Sequence, residues 1–353
     1  MADLNIKPSC DARWDVISLG EVMLRFDPGE DRIHTARHFR VWEGGGEYNV
    51  ARNLVKCFRR RSAIITALAD NQIGRLVEDL ILQGGVDASQ IVWRETDGIS
   101  REVRNGMYFM ERGFASRPPT GCSDRGNTAI SKLKLGDINW QTIFSEGTRW
   151  LHTGGIFAGL SETTAEVAAE SMQAAKESGA IVSYDLNYRD SLWSGRGGRE
   201  AANELNNELL TFADVVFGVE GFETSVTGFS ERSLREAASA MMSRHPNIKI
   251  LATTLRDVHS ASQHNLSGAC FAEGQVFKSK DHMNVHVLDR VGSGDAFAAG
   301  LIHGLLSAES LQTSIDLASA SGVLAMASAG DGSSATFREI ATLAEGTKST
   351  TVR

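Results

Sequence analysis

Residues 289–300 read Asp289-Arg290-Val291-Gly292-Ser293-Gly294-Asp295-Ala296-Phe297-Ala298-Ala299-Gly300. Two glycines flank a serine, an aspartate follows, and an almost uncharged apolar run of helical length continues to Leu306. A glycine turn opening a helix gathers free backbone N–H groups at one point, with the positive end of the helix dipole behind them. Such a place holds an anion. Asp295 stands at the same point, and its carboxylate can take a proton from a hydroxyl held nearby. An anion cradle beside a base suggests phosphoryl transfer to an alcohol. The stretch is not a Walker A loop, because no Lys-Ser or Lys-Thr follows the glycines. Nor is it a dinucleotide fingerprint, because Phe297 occupies the third glycine position. Taken alone, it also reads as an ordinary capped helix with an aspartate in its first turn.

A second glycine turn lies far upstream. Glu43-Gly44-Gly45-Gly46-Glu47-Tyr48-Asn49 precedes a helical pattern through Val50, Leu54, Val55 and Phe58. Consecutive glycines let a small ligand approach the backbone, and Asn49 can both donate and accept hydrogen bonds. A tight turn with a capping Asn accounts for these residues equally well.

Around and between the two turns the chain alternates. Strands are expected at 16–19, 63–67, 150–152, 180–185, 215–217 and 248–253. Helices are expected at 73–82, 163–177, 200–212 and 234–243, and from the Gly292–Gly294 turn onward at 295–306 and 314–329. Residues 21–39 read as exposed strands or a hairpin, and 270–277 as a hairpin near the sheet edge. Repeated βα units imply a mainly parallel sheet with helices on both faces, an α/β fold. Ligands of such a sheet lie at the carboxyl ends of its strands, where Gly154, Asp185, Gly218 and Thr254 fall. Residues 96–130 break the alternation. They are polar and rich in Arg and Gly, the composition of a functional loop or lid.

The 353 residues suffice for one large domain or two smaller ones. With 42% hydrophobic and 23% charged residues, the chain has the composition of a soluble globular protein. A formal net charge of -8 argues against a general nucleic-acid surface. The basic run Arg59-Arg60-Arg61 reads as a solvated helix end. Cys10, Cys57, Cys122 and Cys270 are far apart and form no Cys-x-x-Cys pair, which fits free thiols in a reducing compartment. No signal pattern opens the chain and no apolar stretch is long enough for a bilayer, so a cytoplasmic location is expected.

The two glycine turns, in this order and at this separation, resemble the two signatures of the ribokinase-like (PfkB) sugar kinases. Gly44, Gly45 and Asn49 match Gly-Gly-x-x-x-Asn. Asp289, Gly292, Gly294 and Asp295 match Asp-x-x-Gly-x-Gly-Asp. Within that family the chain looks most like the 2-keto-3-deoxygluconate kinases. The segments that carry this are Gly20-Glu21-Val22-Met23-Leu24-Arg25, Tyr108-Phe109, Asp124-Arg125, Asp185-Leu186-Asn187-Tyr188-Arg189 and Thr253-Thr254-Leu255-Arg256.

The resemblance implies a three-layer sandwich, a mainly parallel central sheet flanked by helices, with a small β-sheet lid. It places the kinase domain at 14–342 and the lid segments at about 24–43 and 98–130. Residues 1–13 and 345–353 are expected to be disordered tails. It implies an ATP-dependent kinase acting on a primary hydroxyl of an acid sugar, with Mg²⁺. Asp295 would be the base, and the N–H groups of Gly292, Ser293 and Gly294 the anion hole. Gly44, Gly45 and Asn49 would hold sugar hydroxyls, and Tyr108 would pack on the sugar from the lid. Arg125 and Arg189 would favour a carboxylate, which a planar guanidinium pairs in bidentate fashion. Asn187, Thr254 and Arg256, with Gly292 and Gly294, would lie on the nucleotide side. The resemblance also admits a homodimer through the lid.

One segment departs from the family pattern. Where an Asn-x-x-Glu linked to Mg²⁺ is expected, the chain has Gly218-Val219-Glu220-Gly221-Phe222-Glu223. Glu220 remains as a candidate metal contact, and Glu223 could serve only with a one-residue shift. This leaves two alternatives: a fructokinase or other neutral-sugar kinase, disfavoured by the two arginines, and a degenerate sugar- or nucleotide-binding relative.

Overall fold

The computed structural model describes residues 4–222 and 225–346. In chain order the strands are β1 (Val16–Leu19), β2 (Met23–Asp27), β3 (Arg40–Gly44), β4 (Ser62–Ala69), β5 (Ile91–Arg94), β6 (Met107–Glu111), β7 (Thr120–Asp124), β8 (Trp150–Gly154), β9 (Ile181–Asp185), β10 (Val215–Phe217), β11 (Ile250–Ser260), β12 (Gln263–Ala272), β13 (Gln275–Lys278) and β14 (His282–His286). The large sheet has the order β13-β12-β11-β10-β9-β8-β1-β4-β5, with β14 also paired to β12. From β5 to β11 all neighbours are parallel, and β12, β13 and β14 pair antiparallel at one end.

Alternate residues of the parallel strands enter two different cores. Leu151, Val182, Val216 and Leu251 pack on one face with Val167, Met172, Leu234 and Met241 of the helices Glu162–Glu177 and Glu231–Arg244. Trp150, Ile181, Val215 and Ile250 pack on the other with Leu54, Leu301 and Ile315 of the helices Gly46–Phe58, Ser293–Leu306 and Leu311–Ala325. Both faces are therefore dry, which explains why these strands read as apolar runs rather than alternating ones. The helices after the two glycine turns lie side by side on the second face. Burial on one face thus brings the two turns to the same end of the sheet.

A separate sheet of order β3-β2-β6-β7 forms the lid. Its β2 is buried, not exposed as expected. Arg25 could enter a dry position because carboxylates remote in sequence, Asp289 and Asp331, meet it there. By contrast β7 is exposed along its length.

Other expectations are corrected in detail. The β11 strand runs to Ser260, so Thr254 lies within it and not beyond its end. The last long helix is Leu311–Ala325, four residues shorter at its end than expected. It starts after Ser310, whose hydroxyl accepts from Thr313 N, and gives way to a turn that carries Asp331 inward. The strands β5 and β14 and the helix Phe337–Ala344 were not foreseen. Residues 4–13, expected to be loose, are fixed on the domain. Leu4 and Ile6 pack on the second core, and Lys7, Ser9 and Ala12 carbonyls accept from Arg149 and Arg61. All four cysteines are free thiols. Among the described residues no helix is long and apolar enough to cross a membrane.

Candidate active site

A cavity of about 940 Å³ opens at the carboxyl ends of β9 and β10 and along β11, with residues from the lid strands β2, β6 and β7 on its other side. Gly292, Ser293, Gly294 and Asp295 line it, as do Gly45, Asn49, Tyr108, Arg125, Asn187, Arg189, Glu220, Thr254 and Arg256. Among the described residues expected at the site, Gly44 stands back from the cavity surface. It ends β3 and abuts the Tyr108 hydroxyl and the Asp331 carboxylate, so it supports the wall rather than the ligand. Gly154, the last residue of β8, is likewise packed against Asp185.

The helix Ser293–Leu306 begins at Gly292, with φ 77°, and no side chain caps it. A β-carbon on Gly292 would lie 1.8 Å from the Asp331 carbonyl oxygen, so the turn requires glycine both in conformation and in space. Gly294 faces open space. The uncapped N–H groups of this turn are available to an anion in the cavity.

Asp295 sits in the first turn of that helix. Its Oδ2 accepts a 2.7 Å hydrogen bond from Asn49 Nδ2. Burial pushes its carboxyl up to about 7; the Asn49 hydrogen bond works against this, while the charges of Asp185 and Asp331 add to it. Asp185, at the end of β9, is raised to about 6 by burial. Glu47, in the first turn of the other helix, is raised to about 8, again by burial. A carboxylate poised near neutrality can accept a proton at physiological pH, as a general base must.

Two arginines meet different surroundings. Arg125 Nη2 donates to Glu21 Oε2, which stands in the cavity wall, while Glu21 Oε1 is buried without a partner. Arg189 is exposed at the cavity mouth, and its charge acts on Asp185 and Asp295. Arg256 and Arg290 join it, and no carboxylate pairs with any of these three among the described residues. Burial and the neighbouring charges of Arg290 and Arg189 hold the Arg256 guanidinium below its ordinary range. Arg256 and Arg290, beside the uncapped helix start, suit a polyphosphate, while Arg189 stands between them and the carboxylates of Asp185 and Asp295.

Glu220 gives one oxygen to Arg244, and its Oε1 is buried without a partner on the cavity wall. Glu223 lies outside the described residues. Among the described residues there is no cluster of three or more metal-ligating side chains.

Several participants were not singled out beforehand. Arg25 was visible only as a member of a resembling segment, Asp185 only as a strand-end residue of another, with no chemical role, and Glu47 only as part of a glycine turn. Asp331 carries no local signal at all. It is buried, and its carboxylate receives Arg25 Nη1 at 2.7 Å, the Tyr108 hydroxyl, and Asn49 Nδ2 at 3.4 Å.

The sequence matches the pfkB family of carbohydrate kinases over residues 14–338. The chain belongs to that family. The pfkB fold is likewise found in similar solved structures. A 2-dehydro-3-deoxygluconokinase from Thermotoga maritima is 30% identical, with TM-score 0.84 over 94% of this chain and 99% of that one. A PfkB family carbohydrate kinase from Listeria grayi is 28% identical with the same TM-score and the same coverage. In sequence, the 2-dehydro-3-deoxygalactonokinase of Haloferax volcanii is 27% identical over 320 residues, 90% of this chain and 92% of that one.

Proposed function

We propose that this sugar kinase transfers the γ-phosphate of ATP to a primary hydroxyl of an acid sugar, 2-keto-3-deoxygluconate in the first instance. The observation that carries the reading is Asp295, buried at an uncapped helix start within a cavity that also presents Arg125 and Arg189. The names of the Thermotoga and Haloferax relatives favour the same class of substrate.

Asp295 takes the proton of the sugar hydroxyl as its oxygen bonds to the γ-phosphorus. The bond from that phosphorus to the bridging oxygen breaks, and its electrons leave with ADP. The N–H groups of Gly292, Ser293 and Gly294 carry the charge that develops on the transferring group. Asn49 orients the carboxylate of Asp295, and Gly45 brings backbone close to the sugar. Asn187, Thr254, Arg256 and Arg290 hold the nucleotide phosphates. Arg125 and Arg189 hold the substrate carboxylate, with Tyr108 against the sugar. The orphaned Glu220 Oε1 fits a contact to hydrated Mg²⁺. When bound, that ion neutralises phosphate charge. Lid closure excludes water as a competing acceptor. A homodimer through the exposed β7 edge of the lid belongs to the same reading, and sedimentation tests it.

The decisive experiment is an ADP-release assay across acid and neutral sugars, with Asp295→Asn alongside. Turnover on an acid sugar, lost by about 10²–10⁴-fold in the variant, is expected. Preference for fructose would move the assignment to a neutral-sugar kinase. No turnover on any sugar would leave a binding protein.

A further inference from the structure

Arg25 is wholly buried, with 0% of its side chain exposed. It sits on lid strand β2, yet its partners belong to the catalytic end of the central domain. Nη1 donates to Asp331 Oδ1 at 2.7 Å, and Nη2 donates to Asp289 Oδ2. Asp27 Oδ2 lies 3.6 Å away and is shared with Arg112. Each of the two acids that Arg25 bonds leads to the reacting centre. Asp289 Oδ1 accepts from Val291 N, immediately before the anion turn. Asp331 Oδ2 receives Tyr108, the register neighbour of Arg25 on β6, and stands 3.4 Å from Asn49 Nδ2. The same Nδ2 donates to Asp295.

Asp295 therefore has a second carboxylate, Asp331, on the far side of Asn49 Nδ2, its hydrogen-bond donor. Uncompensated, that charge would draw Asn49 away from the base and oppose ionisation of the base. A fully buried charge is also costly unless its partners are fixed, so the side chain specifies a geometry rather than merely adding stability. We propose that Arg25 is a positioning residue for the base: by neutralising and anchoring Asp331 it leaves Asn49 directed at Asp295 and ties the lid sheet to the anion turn. This rests on Asp295 being the base. The other charges facing Asp295 are Glu47 from the helix Gly46–Phe58, and Asp185 and Arg189 from the end of β9. None of them touches Arg25, so its effect is separable from theirs.

The test is the pH dependence of kcat/KM in Arg25→Lys, in Asp331→Asn and in the double variant Arg25→Met/Asp331→Asn, with Asp295→Asn as reference. Lys cannot span both acids, so the acid limb moves up in Arg25→Lys. It moves down in Asp331→Asn, by about one pH unit, and returns towards the wild-type position in the double variant. A purely structural role would lower kcat or thermal stability and leave the limb in place; a fixed limb with Asp295→Asn inactive overturns this proposal alone. Near-normal turnover in Asp295→Asn overturns the base assignment and the proposal with it. Should Arg25→Lys fail to fold, the limb of Asp331→Asn decides.

Discussion

Asn49 Nδ2 donates to Asp295 Oδ2 across 2.7 Å and so joins the first glycine turn to the second. The bond favours the ionised carboxylate, against the burial that disfavours it. In the proposed mechanism Asp295 acts as the carboxylate, and its carboxyl is raised to about 7. Hence kcat/KM should fall as pH drops through about 7, approaching tenfold per unit below it. Asp185 is charge-coupled to Asp295, so the limb reports the pair and not one residue. Asn49→Ala removes the donor, and the limb should move to higher pH. A profile flat down to the ordinary carboxylate range would show that Asp295 is not the group whose ionisation limits the rate.

The arginine prediction concerns substrate choice. Hydrogen bonds to charged groups contribute about 1.5–3 kcal/mol, so Arg189→Ala should cost roughly 10- to 100-fold in kcat/KM on an acid sugar. A neutral sugar should lose much less. Arg125→Ala should hurt both, because it also strips Glu21 of its partner in the cavity wall. Equal losses on both sugars in Arg189→Ala would remove the carboxylate argument.

Much of this site was legible because its chemistry is local. Gly292, Gly294 and Asp295 lie within four residues, and helix dipoles and free N–H groups follow from that spacing alone. The parallel core was legible for a similar reason, since strands dry on both faces are short apolar runs. Arg25 and Asp331 were not legible, because a buried ion pair is defined by its partner, and theirs is 306 positions away. The burial of β2 was missed on the same ground: an arginine in a strand reads as exposed until its carboxylates are located.

The two glycines of the anion turn should fail in different ways. Gly292→Ala forces a side chain into φ 77° and into contact with the Asp331 carbonyl. Strain of about 1–2 kcal/mol adds to that clash, so the variant should lose both thermal stability and activity. A β-carbon on Gly294 meets nothing within 4 Å. Gly294→Ala should therefore keep its melting temperature and raise the KM for ATP, as the methyl group enters the space the phosphates need. Unchanged ATP kinetics in Gly294→Ala would place the phosphates elsewhere in the cavity.

Glu47 gives a prediction about stability rather than catalysis. Its Oε1 accepts from Phe157 N at 3.3 Å, but its Oε2 is buried without a partner. Burial, with the nearby charges of Asp295 and Asp185, raises the folded carboxyl from about 4.5 to about 8. The folded state thus holds a proton that the unfolded chain releases. Stability from this group is full below about pH 4.5 and drains away as pH rises to about 8, where the loss levels off. By pH 8 the loss is on the order of a few kcal/mol. Glu47→Gln keeps an acceptor for Phe157 N and never ionises. Its melting temperature relative to wild type should climb between pH 5 and pH 8 and then stay constant. A difference that does not change with pH would mean that Glu47 is ionised in the fold, with a counter-charge reaching its buried oxygen.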